Sequence, residues 1–207
     1  MSIPSCVKYI PGEAENTITL WTRQAIPVWH ELQEQGIYRV KEEYIRIKND
    51  TISDFYIGLY KRFTNIALKH ITIDPVETPY PIWFCITDEE MLQPTQGTVI
   101  FKLEVPVDQV LLLNYDGWGY AVNYRYVPRN DDDELAHQRK LQLYGLDGDE
   151  KLFLTDKGNF YPMLKQEVLH SWDRMFTEIN ERTSVVATAW EIRKEWIKEA
   201  AIYENEC

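Results

Sequence analysis

Five short runs of β-branched and aromatic residues, spread along the whole chain, most limit how this sequence can fold. Each is four to eight residues long and ends at proline or polar residues, as strands do. Segments with helical spacing of apolar residues separate them. The runs cover residues 17–23, 82–87, 98–105, 110–113 and 185–192. With no internal repeat, this pattern predicts an α+β fold with a mixed, mostly antiparallel central sheet and flanking helices.

Two helices are predicted in the first third of the chain. Pro27 suits the first turn of a helix and Gly36 suits the position just after its end. Residues 53–70 place large apolar side chains at a period near 3.6, with Ser53 as the expected N-cap, and therefore predict a long amphipathic helix.

The later segments give further predictions. The strands at 98–105 and 110–113 are joined by a tight turn, so we expect them to pair or lie adjacent. Asp116 is expected to cap a short helix over residues 117–124, and residues 135–144 and 162–176 have helical patterns. The final segment, with Trp196, Ile197 and Ala200, predicts an amphipathic helix.

Length and composition favour one folded domain. The chain has 207 residues, of which 44% are hydrophobic and 13% aromatic, enough to bury a core without disulfides or structural metal. We expect an irregular segment over residues 1–16 and a single globular domain over residues 17–207.

The net charge of −11 restricts the partners. An acidic surface repels phosphate backbones, so nucleic acid is a disfavoured partner. The basic residues within 39–48 and 193–198 alternate with glutamates and are interpreted as solvated faces. The first sixteen residues do not read as a signal peptide, and no apolar run reaches the roughly 18 residues that span a bilayer. Three cysteines, Cys6, Cys85 and Cys207, match no disulfide framework. A cytoplasmic protein without membrane contact is expected.

Common catalytic and metal-binding signatures are missing from the sequence. The four histidines are never three or four residues apart, so no metal is expected. The glycines form no phosphate-binding loop, dinucleotide fingerprint or nucleophile elbow.

Four segments at predicted strand ends combine aromatic and polar residues. They are Leu20-Trp21-Thr22-Arg23-Gln24, Tyr80-Pro81-Ile82-Trp83, Asp116-Gly117-Trp118 and Ala189-Trp190-Glu191. With these segments the chain resembles a bacterial family known as domain of unknown function 3841, whose pattern runs LWTxQ, YPxW, VLLxxxDxW and a late WE. The resemblance covers nearly the whole chain beyond Asn16 and implies no particular activity.

A fold-level resemblance links the same layout to ADP-ribosyltransferase-like domains. It implies NAD, a small-molecule nucleotide, as cofactor, and an ADP-ribosyltransferase or NAD glycohydrolase activity with Glu191 as the catalytic carboxylate. In those transferases the glutamate begins its strand, whereas Glu191 falls near the end of residues 185–192. The implied cofactor-binding residues are Trp21, Thr22, Arg23, Tyr80 and Trp83, and the further candidates are Asp116, Trp118 and Asn123.

A structural interpretation of the same residues leads to a second hypothesis. The tryptophans are large enough to be core anchors, and Arg23 and Glu191 can pair with each other. The protein is then a non-catalytic, acidic interaction protein that meets a basic protein partner. This hypothesis expects an exposed acidic patch at residues 130–134.

Overall fold

The computed structural model describes residues 16–179 and 183–204, and these form two compact units. The first, called the sheet unit, comprises residues 16–112 and 185–204. The second, called the helical unit, comprises residues 113–179 with 183 and 184. The α+β fold class predicted from the sequence is confirmed, whereas the single domain over residues 17–207 stays a prediction.

The sheet unit contains most of the strands and the first three helices. Its elements are β1 (Thr17–Ala25), α1 (Ile26–Gln35), β2 (Ile37–Tyr38), α2 (Glu42–Asn49), α3 (Ser53–Ala67), β3 (Ile82–Phe84), β4 (Thr98–Pro106), β5 (Leu111–Asn114, which continues into the helical unit), β6 (Val185–Ala189), β7 (Ile192–Arg193) and β8 (Ile197–Tyr203). Short 3₁₀ turns lie at Asp50–Ile52, Val107–Gln109 and Lys194–Trp196.

The strands form three small sheets, ordered β1–β4–β8, β2–β7 and β3–β6–β5. The pairs β1–β4, β4–β8, β3–β6 and β2–β7 are all antiparallel. A single bridge connects β1 to the residue after β3, where Trp21 and Cys85 exchange two backbone hydrogen bonds of 3.0 and 2.8 Å.

Strand β4 supplies the centre of the core. Val99, Phe101, Leu103 and Val105 alternate along it and are fully buried, because successive side chains of a strand point to opposite faces. They pack in one cluster with apolar residues of β1, α1, β3 and β6, namely Leu20, Val28, Leu32, Ile82, Phe84, Ala187 and Ala189.

Helix α1 has both predicted ends. Pro27 lies in its first turn, where a missing N–H costs nothing. Gly36 follows it with φ of 76°, and its N–H bonds to the carbonyl oxygen of Leu32 at 3.0 Å. A left-handed residue at this position favours glycine, so both local predictions are confirmed.

Helix α2 was not predicted, and the start of α3 differs from the prediction. The segment 39–48, interpreted as a solvated face, overlaps α2, which buries Ile45 while its charged residues stay outside. Ser53 was expected to cap the following helix but is its first residue, because the 3₁₀ turn at Asp50–Ile52 leads directly into α3.

The helical unit contains α4 (Tyr115–Val122), α5 (Asp131–Leu143), α6 (Lys151–Leu154), α7 (Lys157–Phe160), α8 (Pro162–Ser171) and α9 (Arg174–Thr177). Leu152, Val168, Trp172 and Met175 are buried in it. The Trp172 indole donates to the carbonyl oxygen of Arg125 at 2.9 Å. The helix predicted over residues 162–176 is therefore two helices, α8 and α9.

The N-cap of α4 differs from the one predicted from the sequence. Asn114, not Asp116, caps the helix: its side-chain oxygen accepts from the N–H groups of Asp116 and Gly117 at 3.0 and 3.4 Å. Helix α5 begins the same way, with the Asn130 side chain accepting from the Asp133 N–H at 2.9 Å. Asparagine satisfies the free N–H groups of a first helical turn in both places.

Two predictions about the sheets are wrong. The C-terminal segment is not a helix, because residues 197–203 pair with β4 as strand β8 and Ala200 lies opposite Phe101. The strands at 98–105 and 110–113 do not pair, because β4 lies between β1 and β8 while β5 belongs to the sheet with β6.

None of the helices in the described ranges is both long and apolar enough to cross a membrane.

Candidate functional site

Glu191 lies between β6 and β7, where the chain passes from one small sheet to another. In the β2–β7 pair, Ile37 lies opposite Arg193 and Tyr38 opposite Ile192. Continuing this register by one residue places Arg39 opposite Glu191. Cross-strand neighbours have Cβ atoms about 5 Å apart, so these two side chains can meet.

The Glu191 carboxylate is held between two guanidinium groups. Arg39 donates from Nε to Oε2 at 3.1 Å, and its Nη2 lies 3.0 Å from the same oxygen. Arg193 donates from Nε to Oε1 at 2.7 Å. The Glu191 side chain is only 11% exposed, whereas those of Arg39 and Arg193 are 37% and 47% exposed. The acid is therefore enclosed while both bases still reach solvent.

Arg39 also contacts a second acid. Its Nη1 lies 2.6 Å from Oε2 of the exposed Glu77. Burial alone would lower the pKa of Arg39, but hydrogen bonds to Glu191 and Glu77 outweigh it and raise the pKa above its usual value. Arg39 is thus a permanent positive charge beside Glu191.

Tyr80 is buried and its hydroxyl is already bound. It donates to Oε2 of Glu42 at 2.6 Å, and Arg46 and Lys61 contact the same carboxylate. Hydrogen bonds from Tyr80, then Arg46 and Lys61, lower the pKa of Glu42 to about 2. Burial, followed by the bond to Glu42, raises the pKa of Tyr80.

The structure brings together Trp21, Thr22 and Trp83 where β1 meets β3. The Thr22 hydroxyl donates to the Trp83 carbonyl oxygen at 2.9 Å and accepts from the Gln24 amide at 2.8 Å. Thr22 is 5% exposed, while the side chains of Trp21 and Trp83 are half-buried. Trp83 thus keeps part of its surface in contact with solvent.

An aromatic cluster connects this junction to the residue before Glu191. The Phe63 ring lies 5.3 Å from that of Trp83 and 6.1 Å from that of Trp190. The Trp190 indole donates to the Thr64 hydroxyl at 2.9 Å, and this hydroxyl donates to the Pro79 carbonyl oxygen at 2.9 Å. Trp190 is consequently fixed on helix α3.

Arg23 and Glu191 have different hydrogen-bond partners. Arg23 donates from Nη1 to the Gln93 carbonyl oxygen at 2.6 Å, whereas Glu191 pairs with Arg39 and Arg193. Sequence reasoning missed Arg39, because the two-residue strand before it is too short to give a pattern. The sequence feature that could have pointed to Arg39 is its position three residues after Gly36, which caps the end of α1.

The remaining candidates, Asp116, Trp118 and Asn123, lie on or just after α4 in the helical unit. Asp116 is exposed and Trp118 is half-buried. The Asn123 amide donates to the Gly119 carbonyl oxygen at 2.8 Å, a contact that closes the end of the helix.

A buried polar cluster also lies in the helical unit. Nε2 of His137 is 2.7 Å from Oδ1 of Asp149, whose other oxygen accepts the Tyr126 N–H at 2.9 Å. The Tyr126 ring stacks on the imidazole at 4.0 Å. Among the described residues, Nδ1 of His137 has no hydrogen-bond partner, and it lies 3.6 Å from Oε1 of Glu167.

Glu167 borders a groove of about 510 Å³ on the helical unit. Its other charged lining residues are Arg129, Asp173, Arg174 and Glu178, and His170 also lines it. Basic and acidic side chains are mixed along the groove, so its charge favours neither anionic nor cationic ligands. None of the site residues predicted from the sequence lines it.

The described residues contain one free cysteine and no group of side chains suited to a metal ion. Cys85 is a free thiol whose pKa is raised, first by burial, and Cys6 and Cys207 lie outside the described residues. Within residues 16–179 and 183–204, no three His, Cys, Asp or Glu side chains form a group that could hold a metal ion.

The fold and site define an α+β protein with antiparallel sheets and a guanidinium-flanked carboxylate at a strand end. Residues 19–198 match the family model described as Domain of unknown function (DUF3841). The chain belongs to this family, so the resemblance noted from its LWTxQ, YPxW and WE segments is confirmed. No curated protein and no solved structure matches the chain.

Proposed function

We propose that the protein binds NAD and transfers or releases its ADP-ribosyl group, with Glu191 as the catalytic carboxylate. The observation that supports this is the enclosed Glu191 side chain at a strand end, held between the part-exposed guanidinium groups of Arg39 and Arg193. An acid paired with two solvent-accessible bases suits a ligand that carries both hydroxyls and phosphates.

The two kinds of group have separate tasks in this chemistry. A guanidinium fork matches phosphate oxygens, so Arg39 and Arg193 would bind the pyrophosphate of NAD. Arg193, the more exposed of the two, would move from Glu191 to a phosphate. The freed Glu191 oxygen would then accept a hydrogen bond from a hydroxyl of the nicotinamide ribose.

In the reaction the bond between ribose C1′ and the nicotinamide nitrogen breaks, and nicotinamide leaves with the electron pair. The sugar becomes an oxocarbenium-like cation, which a nearby carboxylate stabilises electrostatically. Water or a nucleophilic side chain of an acceptor then forms the new bond to C1′ and gives up a proton. Hydrolysis yields ADP-ribose, and transfer yields a modified acceptor.

This proposal changes the role of one predicted residue. Arg39 replaces Arg23 as the principal cation, because Arg39 contacts the catalytic carboxylate and Arg23 binds a backbone carbonyl instead. Trp83 is the proposed stacking partner for nicotinamide, since it is half-buried and its backbone carbonyl accepts from Thr22, whereas Tyr80 is buried and its hydroxyl is bound to Glu42.

The test is isothermal titration of the full chain with NAD, together with detection of released nicotinamide by chromatography. Binding lost in Arg39→Ala but retained in the matched Arg23→Ala variant supports the proposed phosphate contact. Turnover lost in Glu191→Gln with binding retained supports the catalytic role. Folding of each variant is checked by circular dichroism, and absence of binding at millimolar NAD contradicts the proposal.

A second candidate function is docking of a basic protein partner on the helical unit. Within the expected patch at residues 130–134, Asp131 and Asp132 are exposed, whereas Asp133 and Glu134 are half-buried and Asp133 is bound to Arg174 and Tyr126. A salt-sensitive complex with polylysine that weakens in Asp131→Asn/Asp132→Asn, combined with no NAD binding, would favour this function.

A further inference from the structure

The guanidinium group of Arg39 has two carboxylate partners. Its Nε and Nη2 lie within 3.1 Å of one oxygen of Glu191, and its Nη1 donates to Oε2 of Glu77 at 2.6 Å. Each of the three guanidinium nitrogens is therefore next to a carboxylate oxygen. A phosphate that approaches Arg39 competes with one of these two acids.

The two acids differ in how easily they can leave Arg39. The Glu191 side chain is only 11% exposed, so its charge would stay enclosed after release. The Glu77 side chain is 60% exposed, so water can hydrate its carboxylate as soon as it leaves. Exposed ion pairs contribute little to stability. Glu77 is thus the acid that an incoming anion would displace.

A turn with its own hydrogen bonds presents Glu77 to Arg39. The Asp74 carboxylate accepts the N–H groups of Val76 and Glu77 at 2.8 and 3.3 Å. The Thr78 N–H donates to the Asp74 carbonyl oxygen at 2.8 Å. An aspartate that bonds the backbone just after it fixes a turn locally. The backbone of this turn is therefore held without the Arg39 pair and can stay in place when the Glu77 side chain leaves.

We propose that Glu77 is an internal competitor for the phosphate groups of the ligand. Its carboxylate takes the place of a phosphate on Arg39 in the free protein and is displaced when a pyrophosphate binds. Guanidinium groups bind carboxylates and phosphates alike, so one can stand in for the other. This inference rests on the proposed phosphate-binding role of Arg39 and adds a residue that lowers the affinity of that site.

Two effects of Glu77 weaken anion binding at Arg39. The ion pair has to be broken, and the displaced carboxylate then repels the anion beside it. Repulsion between unit charges about 4 Å apart in water corresponds to roughly a fivefold change in affinity. Glu77→Gln removes the charge and keeps the size of the side chain. We expect this variant to bind inorganic pyrophosphate about fivefold more tightly than the wild type.

The test is isothermal titration of the full chain with inorganic pyrophosphate at fixed ionic strength. The matched control is Glu89→Gln, which removes the same charge at an exposed position of the turn after β3 and should leave the affinity unchanged. Glu77→Gln is also made in an Arg39→Ala background, where the gain should vanish because it acts through Arg39. Loss of a merely structural contact would not tighten anion binding.

Circular dichroism verifies that every variant is folded. Unchanged or weaker pyrophosphate binding in Glu77→Gln would overturn the proposal, as would an equal gain in Glu89→Gln or a gain that persists without Arg39. Absence of pyrophosphate binding to both the wild type and Glu77→Gln at millimolar concentration would also overturn it.

A parallel titration with NAD separates this inference from the proposed function. Tighter pyrophosphate binding in Glu77→Gln, with no NAD binding to either protein, supports the competitor and contradicts the NAD chemistry. NAD binding and nicotinamide release that do not respond to Glu77→Gln, together with unchanged pyrophosphate affinity, contradict the competitor and leave the NAD chemistry intact.

Discussion

Arg39 lies opposite Glu191 one residue beyond the short β2–β7 pair, and both Nε and Nη2 of its guanidinium lie within 3.1 Å of one oxygen of that carboxylate. Removing Arg39 leaves an enclosed acid with Arg193 as its remaining base, and a poorly compensated buried charge destabilises a fold.

We therefore predict that Arg39→Ala lowers the free energy of unfolding by about 1–2 kcal/mol, measured by urea denaturation. Arg23→Ala is the comparison, since among the described residues the half-buried Arg23 donates to a backbone carbonyl oxygen and not to a carboxylate. Equal losses in the two variants would contradict the importance of the pair with Glu191.

The second prediction concerns acid stability. The pKa of Glu42 in the folded protein is about 2, against an ordinary value of 4.5, chiefly because Tyr80 donates to its carboxylate. The folded state therefore binds fewer protons than the unfolded state between these values, and stability should fall as the pH falls through this range. The stabilisation is fully present above about pH 4.5.

Tyr80→Phe removes the largest cause of the lowered pKa, so it should flatten this pH dependence. The measurement is the melting temperature as a function of pH. In a Glu42→Gln background the group no longer titrates, and Tyr80→Phe should then leave the slope unchanged. A slope that Tyr80→Phe alters equally in both backgrounds would show that another group is responsible.

The third prediction concerns His137, which is 4% exposed and is stacked on Tyr126. His137→Ala removes the partner of one Asp149 oxygen and leaves a void beneath the tyrosine ring. We expect a loss of about 3 kcal/mol in unfolding free energy, measured in urea. His170→Ala, at an exposed position of α8, should cost far less. Similar costs would mean that the buried cluster is not stabilising.

The fourth prediction uses two glycines of the same helix, α4. A Cβ atom at Gly117 would lie 2.8 Å from Cβ of Met175 and 3.2 Å from its Cα, whereas one at Gly119 would meet nothing within 4 Å. Gly117→Ala should destabilise the protein by about 1–3 kcal/mol through overpacking. Gly119→Ala should stabilise it by up to about 1 kcal/mol through helix propensity. Thermal denaturation of both variants checks the contrast.

Local rules predicted the parts of the fold that depend on neighbouring residues. Pro27 and Gly36 delimit α1 because their backbone preferences act at one position. The Asn114 cap was missed because Asn and Asp are nearly equivalent caps and stand two residues apart. Single-residue assignments of this kind depend on where the helix starts.

Long-range pairing decided the parts that the sequence did not predict. Trp196, Ile197 and Ala200 fit a helical spacing, but Ile197 and Ala200 lie opposite Leu103 and Phe101 on β4 and complete its core. At the site, the carboxylate of Glu191 was predicted as a candidate. Its partner Arg39 was not, because 152 residues separate them and only the β2–β7 register brings them together.

The Thr64 hydroxyl, 1% exposed, receives one hydrogen bond from Trp190 and gives one to Pro79. Valine has the same shape but neither function, so it would leave both an indole N–H and a carbonyl oxygen unsatisfied in the interior. Serine keeps both bonds. Thr64 can therefore be replaced by serine, but not by valine, without loss of these buried hydrogen bonds, even though it contacts no proposed ligand.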